Sequence, residues 1–229
     1  MTTTATTSDP FRVGKAYTVR QAADFAAVSS KTIRDWLWAV DTDGHSVKRV
    51  FGDKTRDEDA PASVSLLDLA EIVVVARWRR LKVKLERIRA AHQFAREEWN
   101  APYPFATLNL LTLGGHVLGR FQETIPGQKL VVLSSPQQYV LPDMVKDELL
   151  QFDYNADDHL AERWHPYGRD LPVVVDPHYG GGVPTVEGRG VSIDIILKRW
   201  KAKQGFQTIA RDLRLKPPQV EAILQHLTA

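Results

Sequence analysis

The amino-acid sequence predicts a mainly α-helical protein with a minor β component, an α+β chain, and three observations carry that prediction. Apolar residues return at three- and four-residue steps in stretches towards both ends, the period of a helix with one buried side. Ser, Thr and Pro stand at the starts of those stretches, where such residues cap or open a helix. Short strand-like runs are confined to a wing after the first helices and to a middle region. The chain divides accordingly into a disordered tail over 1–15, a helical domain over 16–100, a β-containing middle region over 101–178 and a three-helix bundle over 179–229.

Tyr17 to Trp38 organises the first domain. Thr18 caps a helix whose buried side is Val19, Ala22, Ala23 and Ala26. Ala27-Val28-Ser29 makes the turn, and Ser29 or Ser30 caps a second helix with Ile33 and Leu37 inward. Small residues at Ala22, Ala23, Ala26 and Ala27 admit the close backbone approach that so short a turn demands. Ser30, Lys31, Arg34 and Asp35 are left on the open face, the polarity that a helix-turn-helix presents to the major groove. An ordinary αα-hairpin shares this pattern. Asp41 to Pro61 is polar, with a DTDGH turn signal before Lys48 and Arg49, and suits a short basic wing.

Ser63 or Ser65 opens the next helix, with Leu66, Leu69, Ile72, Val73 and Ala76 inward. A further helix covers 84–99. Its Leu85, Ile88, His92, Ala95 and Trp99 advance by 3, 4, 3 and 4, a heptad seam that suits a homodimer interface or packing within the chain. Phe105 to Thr112 and His116 to Phe121, joined by Gly114-Gly115, read as a β-hairpin. Lys129 to Leu133 reads as a strand, Asp143 to Phe152 as a short helix, Asp157 to Asp170 as a polar loop and Pro172 to Asp176 as a last strand. In the bundle, Ser192 caps a helix with Ile193, Ile196, Leu197 and Trp200 inward, and Gly205 ends it. Phe206 to Leu213 forms a second helix. Lys216-Pro217-Pro218 opens a third, with Val220, Ile223, Leu224 and Leu227 on one side.

Composition narrows the function classes. Hydrophobic content of 43% and charged content of 25% are those of a globular protein, and the absence of cysteine excludes disulfides and thiolate metal sites. The most apolar run, Leu66 to Ala76, is broken by Asp68 and Glu71 and is too short to span a bilayer. The Thr-rich start lacks the segments of a signal peptide, so a cytoplasmic protein without membrane partners is expected. Net charge is only +2 but is unevenly spread. Residues 77–98 carry eight basic and three acidic side chains, residues 185–229 eight and four, and residues 121–162 two and eight. Such a distribution suits a protein touching phosphate at one or two faces.

No catalytic residues are indicated: there is no nucleophile elbow and no paired carboxylate and base on one helix face. His159, His165 and His178, near Asp157 and Asp158, match no tight ligand spacing, and Gly180-Gly181-Gly182 lacks the Gly-Lys-Ser/Thr of a phosphate loop. No metal or cofactor is expected.

The order TVRQAADFAAVSSKTIRDW, a basic turn, SVSLLDLAEI and KLERIRAA resembles the DNA-binding half of MerR-type regulators over residues 16–99. By that likeness, Arg34 falls on the recognition-helix arginine and Lys48-Arg49 on the basic wing, and Ala27 and Lys82 depart from positions where Gly is common. The C-terminal run from Gly182 to Gly190, followed by the TIARDL and VEAIL helices, resembles the VapB-like antitoxin family over residues 173–227. Together the two halves are similar to long VapB-type antitoxins paired with a VapC ribonuclease. The resemblance implies operator DNA and a VapC-like PIN-domain toxin as partners. Arg189, Arg211 and Arg214 are candidates for the toxin contact. The alternative is a stand-alone MerR-like regulator sensing a ligand through its middle region.

Overall fold

A computed structural model describes residues 9–38, 50–51, 63–124, 130–135 and 138–228. The expected wing residues Lys48 and Arg49 lie outside the described residues. The chain forms two compact units, 1–161 and 162–229. Among the described residues, helices dominate and the strands are short, as the sequence predicts.

The first unit opens earlier than expected. Within the stretch read as a disordered tail, Asp9 caps a helical turn, α1 (Pro10–Val13), and Arg12 on it is buried. The Arg12 guanidinium donates to both carboxylate oxygens of Asp158, at 2.9 and 2.5 Å. Asp9 and Pro10 carry a local helix-start signal, but a partner as distant in sequence as Asp158 leaves no local sign that Arg12 is buried. Strand β1 (Tyr17–Thr18) then leads into α2 (Val19–Ala26) and α3 (Ser30–Trp38). Strand β2 (Ser63–Val64) pairs antiparallel with β1, Tyr17 opposite Val64.

Helix α4 (Leu66–Arg80) is the unit's central element. Ser65 and Asp68 close a capping box at its start, stabilising it by roughly 1 kcal/mol. Eleven of its residues are buried, which is why no single apolar stripe dominates its sequence. It packs against α1, α2, the next helix α5 (Leu85–Trp99) and a 3-10 turn at Pro104–Ala106. Lys82, between α4 and α5, has φ of 62°, and Val83 N–H returns to the carbonyl of Trp78 at 3.1 Å, so the chain makes a left-handed helix stop without glycine.

The β-hairpin expected from Phe105 to Phe121 is absent. Phe105 lies in the 3-10 turn, and two helices follow, α6 (Leu108–Thr112) and α7 (Gly114–Thr124). Gly114 and Gly115 open α7 rather than making a two-residue turn. Their smallness serves packing. A Cβ on Gly115 would collide with the Tyr139 carbonyl, and one on Gly119 with the Tyr139 ring. Tyr139 belongs to β4 (Gln138–Val140), which pairs with β3 (Val132–Ser135), a few residues later than the strand expected at 129–133. Helix α8 (Asp143–Leu149) and strand β5 (Phe152–Tyr154) complete the unit.

Strand β6 (Ala161–Trp164) interrupts the expected polar loop over 157–170. In the second unit, β7 (Val173–Val174), β8 (Thr185–Val186) and β9 (Val191–Ser192) form an antiparallel sheet in that order. Helices α9 (Ile193–Lys201), α10 (Phe206–Leu213) and α11 (Pro217–Thr228) follow. One core joins Val173, Val186, Ile193, Ile196, Ile209, Ala210, Val220, Ile223 and Leu224. Two expectations need correction. Trp200, at the end of α9, is 39% exposed because the helix stops before its ring is covered. That stop is made by Ala202 and the left-handed Lys203, while Gly205 is the N-cap of α10.

Candidate functional site

The hairpin of α2 and α3 is built by caps at both ends of α2 and at the start of α3. Thr18 Oγ1 accepts from Gln21 N–H at 3.2 Å, while Gln21 Oε1 accepts from Thr18 N–H at 2.9 Å. Ala27 ends α2 in the left-handed region, φ 50° and ψ 52°, and Val28 N–H reaches back to the carbonyl of Ala23 at 3.0 Å. Ser29 Oγ then accepts from Thr32 N–H at 3.0 Å and starts α3. Val19, Ala22, Ala23 and Ala26 are buried, and Ile33, Trp36 and Leu37 meet them. Two outside bonds fix the pair. Arg80 Nη2 donates to the Ala26 carbonyl at 2.9 Å, and Val50 N–H donates to the Trp36 carbonyl at 2.9 Å.

This leaves one face of α3 open. Lys31 and Arg34 are exposed, and Ser30 and Asp35 are half-buried. Lys31 Nζ sits 2.7 Å from Asp35 Oδ2, an exposed pair worth only about 0.3–0.5 kcal/mol, so exchanging that carboxylate for a phosphate costs little. Arg34 has no hydrogen bond or ion pair among the described residues. The helix therefore exposes two cations on its first turns, an arrangement chemically suited to phosphates and base edges.

The stripe on α5 turns into the chain. Ile88, His92 and Ala95 are buried, while Leu85 and Trp99 are half-buried. His92 Nε2 lies 2.8 Å from Glu71 Oε1, which also accepts from Phe105 N–H at 3.2 Å. Phe51 and Phe105 meet the His92 ring edge-on at centroid distances of 5.6 and 4.8 Å. His92 is thus a core histidine held by a buried carboxylate. The lone Glu71 within an apolar helix was the available signal for it.

The second unit presents its expected arginines differently. Arg189 is exposed on the β8–β9 turn, between Gly188 and Gly190, both left-handed. Arg211 and Arg214 lie on the outer side of α10 and its following turn. Arg211 is 77% exposed, with only a 3.6 Å approach to Asp212, and Arg214 is the left-handed C-cap. Arg199 joins α9 to α10 through Asp212 Oδ2 at 2.6 Å. Asp176, missed by sequence reasoning, is buried and accepts from Arg163 Nε at 3.1 Å and from the backbone N–H of His178 at 2.9 Å, with His178 Nδ1 also 2.9 Å away. Among the described residues, no group of three potential metal ligands is present, and no helix is long and apolar enough to cross a membrane.

The family model described as a protein of unknown function (DUF433) matches residues 173–226, from β7 to α11. Over 227 residues the chain is 29% identical to a Mycobacterium tuberculosis protein named "Putative antitoxin VapB45", covering 93% of this chain and 94% of the relative. The crystal structure of Rv2018 from Mycobacterium tuberculosis is also similar, with a TM-score of 0.76 and 29% identity, covering 92% of this chain and 97% of that one.

Proposed function

We propose that the chain is the antitoxin of a type II toxin–antitoxin pair, a cytoplasmic, non-enzymatic protein that represses its own promoter and neutralises a PIN-domain ribonuclease of the VapC type. The observation that carries this reading is the similarity to an antitoxin-named protein, which runs through both units rather than through the C-terminal match alone. Operator binding is assigned to Ser30, Lys31 and Arg34 on α3, together with Lys48 and Arg49. It is supported by the capped hairpin and by the likeness of residues 16–99 to MerR-type DNA-binding domains.

Phosphate contacts release counterions, so the operator complex weakens with salt by about 0.9 log unit per log unit of salt for each contact. Arg34→Ala costs about 1–3 kcal/mol if the side chain reads a base edge, and relaxes specificity at that position. A gel shift of the chain's own promoter fragment at low salt tests this. No shift, or an Arg34→Ala chain indistinguishable from wild type, removes the DNA-binding part. The toxin part is tested by co-expression with the neighbouring reading frame. A chain that binds its promoter but yields no complex and no growth rescue is instead a stand-alone regulator.

A homodimer reading two half-sites completes the proposal, since one helix-turn-helix contacts only a few base pairs. Because Ile88 and His92 serve the chain's own core, the α5 contribution falls on the half-buried Leu85 and Trp99.

A further inference from the structure

The hairpin α10–α11 repeats the hairpin α2–α3 residue for residue. Both first helices have eight residues, Val19–Ala26 and Phe206–Leu213, and both second helices begin after three more, at Ser30 and Pro217. Ala27 and Arg214 occupy the same place and the same left-handed conformation, with φ of 50° and 55°. The returning bonds also match: Val28 N–H to the Ala23 carbonyl at 3.0 Å, and Leu215 N–H to the Ala210 carbonyl at 2.8 Å. Ile33 and Val220 fill the same buried position, as do Leu37 and Leu224.

The exposed charges do not match. On α3 the cations are Lys31 and Arg34, whereas the corresponding places on α11 hold Pro218 and Glu221, both exposed. On the first helix and turn the relation is inverted. Gln207, Arg211 and Arg214 form an exposed line at steps of four and three, continued by exposed Lys216, where the first hairpin has Arg20, Asp24 and Ala27. Seating α11 in a groove would set Glu221 among phosphates, and on the base edges its carboxylate can accept only from the amino groups of cytosine and adenine. An acidic protein surface meets the α10 line without that penalty.

We infer that the two hairpins divide their work: α3 enters DNA, and the line Arg211, Arg214 and Lys216 on α10 and its turn docks the acidic face of a protein partner. This rests on the toxin reading above and names the surface that serves it. The test uses the full chain carrying Arg211→Glu and Arg214→Glu, with Arg211→Lys and Arg214→Lys as the charge-keeping control. Two readouts are taken, affinity for the co-expressed neighbouring nuclease and the salt slope of promoter binding. Like charges brought together cost several kcal/mol, so the reversal is expected to weaken the nuclease complex by about 100-fold or more. The Lys control retains the complex, and the promoter slope is unchanged. A complex left intact by the reversal overturns this inference alone. A promoter slope lowered by about 0.9 for each substituted residue overturns it in favour of a second DNA surface. A wild-type chain that forms no nuclease complex removes the partner reading and this inference together.

Discussion

Glu71 shows how much one side chain can hold. Buried on α4, it accepts the Phe105 N–H and faces His92, so it ties three segments at a single oxygen. Glu71→Leu strips partners from two buried polar groups, and leaving such groups unsatisfied costs about 1–3 kcal/mol each. A fall of that order in unfolding free energy by urea titration is expected. Ala27 works in the opposite direction. A non-glycine residue in the left-handed region costs about 1–2 kcal/mol, so Ala27→Gly should raise stability by roughly 1 kcal/mol with promoter binding unchanged. Neither feature was equally legible. The sequence marked Ala27 and Lys82 as unusual at helix stops, and both are left-handed, because a helix stop must be made locally. The partners of Glu71 and Arg12 come from distant segments, and no spacing rule reaches that far.

At the scale of elements, the Arg12–Asp158 bridge ties α1 to a segment far along the chain. Burial raises the Asp158 carboxyl, but the Arg12 hydrogen bond, the Leu160 N–H and the charges of Arg12 and His159 outweigh it and leave the group below its ordinary value. A depressed folded-state value means stabilisation that is present above the unfolded value of about 3.9 and lost as pH falls through the folded one. Wild type should lose stability over that acid range, and Asp158→Asn should show a shallower loss in urea midpoints taken from pH 5 downwards. Tyr167 behaves oppositely: burial first, then the Asp194 charge, raise its hydroxyl, so its share persists below pH of about 10 and is lost as the solution becomes more alkaline. For α5, light scattering at tens of micromolar distinguishes the fates of its stripe. Leu85→Glu should convert a dimer to monomer, whereas Ile88→Glu should unfold the chain, since Ile88 is fully buried. The helices with a 3.6-residue apolar period and a capping residue were legible from the sequence, α2, α10 and α11 above all. The region from 103 to 121 was not, because its glycines satisfy packing against Tyr139 and imitate turn residues.

For the whole molecule, the division at 161/162 has an energetic counterpart. The core around Val220, Ile223 and Leu224 draws on residues from 167 to 227. Ile223→Ala removes a fully buried side chain and should cost about 2–5 kcal/mol. In native-state hydrogen exchange, protection should fall across α9 to α11 while the amides of α2 and α3 keep theirs, and a uniform loss throughout the chain would contradict two separate cooperative units.

The three-residue turn has a consequence for engineering. Ala27-Val28-Ser29 and Arg214-Leu215-Lys216 join helices of matching register with matching return bonds, so each is a cassette that fits the other's socket. Grafting Ala-Val-Ser after Leu213 would bring a side-chain cap to α11 and erase Arg214 and Lys216 in one step. The reciprocal graft after Ala26 would bring two cations to the entrance of α3 and forfeit the Ser29 cap, worth about 1 kcal/mol. Shape would be conserved in both chimaeras while charge changed places, and a single exchange of three residues would thus carry a binding preference from one end of the polypeptide to the other.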